Sequence, residues 1–175
     1  MDKPLTEHFL YELKNQCNFA IQGYNDFVSA YNNRSSDRMW SSLELFLIAA
    51  AKISIIFWTS DPKYAKRGEE LRKHLSVNDT VAFKTRAPRN HLEHFDERLD
   101  DWYVSYSHHN LMDRVVFPET TFATGNFDYL RAFFTRRFVF RFLNNEYEIK
   151  PISDSIVELL SKVDKALSNL QSRTP

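Results

Sequence analysis

The stretch Leu43-Glu-Leu-Phe-Leu-Ile-Ala-Ala-Ala-Lys-Ile-Ser-Ile-Ile-Phe-Trp58 is the most apolar run of the chain. Its apolar residues would cover nearly every side of a helix, which predicts a helix buried all round rather than one with a solvent face. It spans 16 residues and contains Glu44 and Lys52, whereas a membrane span needs roughly 20 largely apolar residues. We therefore expect it to be the innermost helix of a soluble domain.

Helical patterns lie on both sides of this stretch. Upstream, apolar residues recur at three- and four-residue steps from Leu5 to Tyr31, which predicts a long amphipathic first helix. Either Ser36 or Asp37 is expected to cap the second, buried helix. Three further helices are predicted. The third is charged and spans Lys63 to Leu75, the fourth runs from near Pro88 to Trp102, and the amphipathic last helix spans Ile152 to Leu170.

The region between the fourth helix and the last has a different pattern. Arg114 to Pro118 and Thr135 to Ile149 are rich in residues that favour strands, with a turn expected at Asn144-Asn145. The Phe-rich part of this region is apolar at successive positions, so a helix or an extended arm remains an alternative. The expected fold is mainly α, an antiparallel bundle of four to five helices with a small β or irregular insert between the fourth and fifth. Residues 1–175 are predicted to form one domain.

Composition limits the possible functions. The chain has 175 residues, 43% of them hydrophobic, and its basic and acidic side chains balance at 23 each. No whole-molecule field would draw it to nucleic acid or to an anionic membrane, so phosphate recognition would have to be local. The single cysteine, Cys17, is expected to be a small buried hydrophobe. Acidic residues near the start leave no apolar signal segment, so a cytoplasmic protein without a membrane partner is predicted.

One cluster of polar residues opens the predicted fourth helix. Pro88 favours the first turn, which places Arg89 and Asn90 at the second and third helical positions, beside free backbone N–H groups that suit a phosphate. His94 lies one turn beyond Asn90, on the face opposite the predicted apolar stripe of Leu92, Phe95, Leu99 and Trp102. Glu97 is within reach of that imidazole and would hold its tautomer or raise its pKa. Lys84 and Arg86 would add positive charge nearby.

The series Arg89-Asn90-His91-Leu92-Glu93-His94 resembles the R-[polar]-x-x-x-H motif of HEPN domains. The resemblance covers roughly residues 5 to 105 and implies a helical, often homodimeric protein. Many members are metal-independent ribonucleases of toxin–antitoxin and defence systems, so it further implies an RNA substrate, an inhibitory protein partner and no cofactor or metal.

The resemblance also implies a role for each motif residue. Arg89 would bind the scissile phosphate, His94 would move the proton, and Asn90 would orient His94 or bind the phosphate. One histidine cannot easily serve as both acid and base, so two motifs would meet across a dimer cleft.

Simpler interpretations of the same residues remain open. Arg89 could form only a surface ion pair with Glu93, and the chain could be a non-catalytic HEPN-like module that binds a nucleotide or a protein. A metal site at His91 and His94 is disfavoured, because a matching pair on a second helix is missing and the adjacent His108-His109 is poorly spaced. The five phenylalanines between Phe133 and Phe142 favour core or interface packing over base stacking, and the arginines among them are weaker candidates for RNA binding. These arginines are Arg131, Arg136, Arg137 and Arg141.

Overall fold

The computed structural model describes residues 2–105, 110–118 and 127–172. The chain divides into two compact units. The first, here the helical unit, runs to Arg86 and resumes at Pro151; the second, here the sheet unit, is Ala87–Lys150.

A long helical hairpin dominates the helical unit. Helix α1 is Lys3–Asn32 and helix α2 is Ser36–Phe57, and the two pack along each other. The Asp2 side chain caps α1 by accepting from the backbone N–H of Leu5 at 2.9 Å. The expected cap of α2 is wrong, because α2 already includes Ser36 and Asp37, and Ser35 before it makes no side-chain capping bond. The turn instead depends on Arg34, which adopts a left-handed φ of 54°.

The prediction that α2 is the innermost helix is confirmed. Its buried residues face several directions around the helix axis, and 67% of its most apolar segment is buried. It is the one described helix long and apolar enough to cross a membrane, but this degree of burial is that of a core helix. Cys17 of α1 is buried as predicted, and its burial raises the pKa of the thiol to about 12.

A close approach of α1 to α2 requires a glycine. A Cβ placed on Gly23 would lie 2.9 Å from the backbone nitrogen of Phe46, closer than real Cβ contacts. Gly23 therefore lets the backbones of α1 and α2 meet near the middle of the hairpin, where the centre of the Tyr24 ring lies 5.6 Å from that of Phe46.

Two further helices complete the helical unit. Helix α3 is Ala65–His74 and follows a short 3-10 turn at Pro62–Tyr64. The last helix, α6, is Ile149–Gln171 and joins α1 through an ion pair of 2.7 Å between Lys14 Nζ and Asp164 Oδ1. The predicted third and last helices are confirmed, and the last begins three residues earlier than expected.

In its described residues, 87–105, 110–118 and 127–150, the sheet unit combines two short helices with six short strands. Helix α4 is Ala87–Glu93 and α5 is Phe95–Ser105. The strands are β1 Leu111–Met112, β2 Val115–Phe117, β3 Asp128–Tyr129, β4 Arg131–Phe134, β5 Val139–Phe142 and β6 Asn145–Glu148. A four-stranded sheet has the order β2-β4-β5-β6, with β2 parallel to β4 and the other pairs antiparallel; β1 and β3 form a separate parallel pair.

The mainly helical class with a small sheet late in the chain is confirmed. The strand predictions are correct for β2, β5 and β6, but the hairpin turn lies at Leu143-Asn144, one residue earlier than expected, and β4 was missed. Four of the five phenylalanines in this region are fully buried, as the packing interpretation predicted: Phe133, Phe134, Phe140 and Phe142.

The predicted continuous fourth helix is wrong. It is two helices, α4 and α5, separated by His94. The expected apolar stripe breaks at the same point, because the Phe95 side chain is 45% exposed while Trp102 is buried. Trp102 also has a polar partner that the stripe did not anticipate, since its indole N–H donates to Asp128 Oδ2 at 2.8 Å.

Candidate functional site

Arg89 and Asn90 lie in the short helix α4. Because α4 begins at Ala87, they are its third and fourth residues, one position later than predicted, and Pro88 before them is buried. His94 follows α4 directly. Its backbone N–H still donates to the Asn90 carbonyl at 3.1 Å, and its own carbonyl accepts from Arg98 at 3.1 Å. Helical hydrogen bonds therefore hold His94 one turn beyond Asn90, although the helix itself is interrupted there.

The Arg89 guanidinium already has partners. Its Nη1 lies 2.7 Å from Glu93 Oε2 and donates to Asn90 Oδ1 at 3.1 Å. The Arg89 side chain is 26% exposed and that of Glu93 is 41% exposed. The i, i+4 ion pair expected under the simpler interpretation is thus present, and a phosphate reaching Arg89 would compete with a carboxylate. A guanidinium has five N–H donors, so the pair at Nη1 does not by itself exhaust its capacity.

His94 presents an exposed imidazole. Its side chain is 53% exposed, and Nδ1 lies 3.6 Å from Glu97 Oε1. That separation is longer than a hydrogen bond but short enough for attraction to the imidazolium. The structure therefore brings His94 and Glu97 together as predicted, on a surface that a large ligand can reach.

His91 has a structural role that the sequence did not reveal. Its ring stacks on Phe142 with centroids 4.9 Å apart and an interplanar angle of 10°, and its Nε2 lies 2.8 Å from the Tyr147 hydroxyl. Burial, with a smaller contribution from the positive charge of Arg98, lowers the pKa of the His91 imidazole below its usual range. His91 thus anchors α4 to strands β5 and β6, and the exposed His94 is left as the histidine open to a ligand.

Lys84 and Arg86 belong to the helical unit. The Lys84 ammonium bonds Asp79 Oδ1 at 3.0 Å and lies 5.4 Å from the centre of the Trp58 ring. Hydrogen bonds from Trp58 and Lys84 lower the pKa of Asp79, so the charge of Lys84 is balanced locally. Arg86 is half-buried. Their contribution to a phosphate site stays a prediction.

Acidic side chains surround the motif. Five carboxylates of α4 and α5 are exposed: Glu93, Asp96, Glu97, Asp100 and Asp101. Of the two arginines in this segment, Arg98 pairs with Asp101 at 3.7 Å, as Arg89 pairs with Glu93. RNA would therefore approach against a negative local field, and its contact with protein would have to be confined to the immediate surroundings of Arg89 and His94.

The arginines among the phenylalanines of the sheet pair mostly with nearby carboxylates. Arg131 binds Asp113 through Nε at 2.8 Å, and Arg137 binds Glu146 at 2.7 Å. The Arg137 and Arg141 guanidinium groups also lie over the Phe134 ring, 5.4 and 5.8 Å from its centre. These contacts give Arg131, Arg137 and Arg141 a structural role in the sheet.

Within the described ranges, no group of three or more His, Cys, Asp or Glu side chains is arranged to hold a metal ion. His108-His109, considered as part of a metal site, lies outside the described residues. No family model, curated protein or solved structure matches this chain.

Proposed function

We propose that this chain is a HEPN-type, metal-independent endoribonuclease that acts as a homodimer, with its helices forming a HEPN-like bundle. By the same resemblance it would serve as a toxin or defence effector in the cytoplasm, held in check by an inhibitory protein. The observation that carries the proposal is the exposed imidazole of His94, held by helical hydrogen bonds one turn beyond Asn90 and five residues after Arg89. Exposure suits a polymeric substrate, which cannot enter a closed pocket.

The chemistry follows from the residue types. A ribose 2′-oxygen attacks the adjacent phosphorus and the bond from phosphorus to the 5′-oxygen breaks, which leaves a 2′,3′-cyclic phosphate and a 5′-hydroxyl. A base takes the proton of the 2′-hydroxyl and an acid supplies one to the 5′-oxygen. In a symmetric dimer, His94 of each copy could take one of these roles. Glu97 would stabilise the imidazolium, and Arg89 the charge that builds on the phosphate oxygens.

The ion pair between Arg89 and Glu93 defines the resting state of this site. In the proposed reaction a phosphate takes the place of the Glu93 carboxylate on Arg89, so Glu93 acts as an internal competitor that the substrate displaces. Asn90, which accepts from the same Nη1 at 3.1 Å, would hold the guanidinium in position during this exchange.

The same ion pair also favours a second candidate, a non-catalytic HEPN-like module that binds a nucleotide or a protein. A guanidinium neutralised at 2.7 Å within an acidic surface could be purely structural. The two candidates differ in one measurable respect, since only the nuclease cuts RNA in the absence of divalent metal.

The test is cleavage of a mixture of structured RNAs in excess EDTA. We expect Arg89→Ala to lower the rate by about 10²–10³-fold and His94→Ala by about 10²–10⁴-fold. Matched controls are Arg98→Ala, which also removes an arginine paired with a carboxylate, and His8→Ala, which removes another exposed histidine. Cleavage by wild type that both His94→Ala and Arg89→Ala retain would overturn the proposal, and inactivity of wild type on every RNA would favour the binding module.

A further inference from the structure

An exposed apolar groove runs along the hairpin of α1 and α2, wholly within the helical unit. Its walls include Phe19 of α1 and Leu45 of α2, whose side chains are 58% and 62% exposed. Large apolar side chains exposed singly are ordinary, but two that line one groove mark a surface suited to a partner. At opposite ends of the groove lie one carboxylate and one ammonium, Asp26 and Lys52.

The positions of these four residues can be compared along the hairpin axis. The helices are antiparallel and meet where Gly23 approaches Phe46, so a step forward on α1 matches a step backward on α2. Measured along the hairpin axis from the level of Gly23 and Phe46, Asp26 lies three residues to one side and Lys52 lies six residues to the other. At about 1.5 Å per residue the two charges are therefore separated by roughly 14 Å along the axis.

The apolar pair is centred on the same point as the charged pair. Leu45 lies one residue from the Gly23 level on the Asp26 side, and Phe19 lies four residues away on the Lys52 side. The midpoint of each pair lies one and a half residues from the Gly23 level, on the Lys52 side. Gln22 and Ile48, which also line the groove, lie directly on either side of this midpoint.

The two charged ends of the groove match each other under a two-fold rotation. The two-fold axis passes through this midpoint. It lies in the plane of the groove face, perpendicular to the line from Asp26 to Lys52, and exchanges the two ends of the groove. On a second copy it sets Lys52 opposite Asp26 at both ends of the groove, so the charged contact occurs twice, as in an isologous interface, and the apolar side chains of Phe19 and Leu45 lie between these two contacts. We propose that the groove lined by Phe19, Leu45, Asp26 and Lys52 is the homodimer interface of this protein.

The charges of the groove favour a second copy over other partners. One acidic and one basic end give the face no net charge, so neither nucleic acid nor an anionic membrane is attracted to it. In the part of the chain that the structure describes, the Asp26 carboxylate has one long ion pair, 3.8 Å from Arg38 Nη2, and the Asp26 side chain is 42% exposed. Among the described residues Lys52 has no ion pair. Both charges are thus available to a partner whose charges run in the opposite direction.

Charge-reversal variants test the interface without requiring any RNA activity, so the result is separable from the proposed function. Asp26→Lys gives a groove with two ammonium groups and Lys52→Asp one with two carboxylates, and in either homodimer like charges would meet twice. We expect each single variant to raise the dimer dissociation constant by about tenfold or more, measured by sedimentation equilibrium. Equimolar mixing of the two variants restores opposite charges at both contacts, and so restores dimers.

Three controls make the outcome decisive. The double variant Asp26→Lys with Lys52→Asp should dimerise like wild type, and Val157→Lys, at another exposed apolar position of the helical unit, should not change association. Circular dichroism shows whether each variant is folded, and Leu45→Ser provides a second, uncharged disruption. The proposal is overturned if wild type is monomeric at micromolar concentrations, if the single variants dimerise normally, or if mixing fails to restore the dimer.

Discussion

Replacing Glu93 with glutamine frees Arg89 from its ion pair with little change in shape. The substitution removes the charge from Glu93 Oε2, which lies 2.7 Å from Arg89 Nη1, between side chains that are 41% and 26% exposed. Pairs of this kind contribute about 0.3–0.5 kcal/mol, because solvent screens them and two long side chains must be ordered. The variant should therefore fold normally, with a free energy of unfolding within roughly half a kcal/mol of wild type.

The effect on RNA binding should be larger and of opposite sign. A carboxylate and a phosphate on one guanidinium lie about 5 Å apart, where two unit charges in water repel by about 0.8 kcal/mol before salt screening. A Debye length of about 8 Å roughly halves this repulsion. Adding the ion pair of about 0.3–0.5 kcal/mol that no longer has to be broken gives an improvement of about 0.7–0.9 kcal/mol, or a roughly three- to fivefold lower Kd for RNA.

Fluorescence anisotropy with labelled RNA measures this Kd. The His94→Ala background prevents cutting, so Glu93→Gln in that background is compared with His94→Ala alone. Asp101→Asn is the matched control, since it removes one negative charge from the same acidic surface and frees Arg98 instead. An unchanged or weaker affinity in Glu93→Gln would refute the displacement of Glu93 by phosphate, and an equally improved affinity in Asp101→Asn would show that only net charge matters.

Three further predictions concern stability. His91→Ala should lower the free energy of unfolding by about 2 kcal/mol in urea titrations, because it removes the stacking on Phe142 and the Tyr147 hydrogen bond; His94→Ala, at an exposed position, should change it by less than about 0.5 kcal/mol. Because burial lowers the pKa of His91 from its ordinary value of 6.5, the unfolded chain binds the proton more readily, so the stability due to the neutral ring is complete above that pH and is lost as the pH falls below it. The urea midpoint should therefore drop between pH 8 and pH 5 by more in wild type than in His91→Gln, and equal drops would contradict this assignment. Gly23→Ala should lower the thermal midpoint, at a cost of about 1–3 kcal/mol, since the added methyl group would lie 2.9 Å from the Phe46 backbone nitrogen; an unchanged midpoint would show that α1 and α2 separate easily.

The helices were predictable where a single periodic pattern dominated. The run from Leu43 to Trp58 is apolar on all sides, and only a buried helix accommodates it, as α2 does. The break at His94 has no such signal, because the sequence before and after it shares one apolar period. The sequence also could not show the tertiary contacts of α4, since His91 is held by Phe142 and Tyr147, 51 and 56 residues further along the chain.

Strand β4 was harder to predict because it is buried on both faces. Strand β4 is buried at three successive positions, so the polar–apolar alternation that identifies a half-exposed strand is absent. The turns on either side of β5 are also unusual. Phe138 and Leu143 adopt left-handed φ values of 57° and 49°, where glycine or asparagine would have been expected.

At the candidate site, the sequence predicted the spacing but not the electrostatic state. It placed His94 at the surface near Glu97, where the structure also has it, and it offered both roles for Arg89. Which role applies depends on the energetic balance between Glu93 and a phosphate, and no residue pattern encodes that balance.

The chemical nature of newly cut RNA ends tests the central claim most directly. Products formed in excess EDTA can be identified by mass spectrometry and by their response to phosphatase and polynucleotide kinase. Attack by the neighbouring 2′-hydroxyl with proton transfer by His94 predicts 2′,3′-cyclic phosphate and 5′-hydroxyl ends that His94→Ala does not produce. Ends carrying a 5′-phosphate and a 3′-hydroxyl, or cyclic ends formed equally well by His94→Ala, would contradict it.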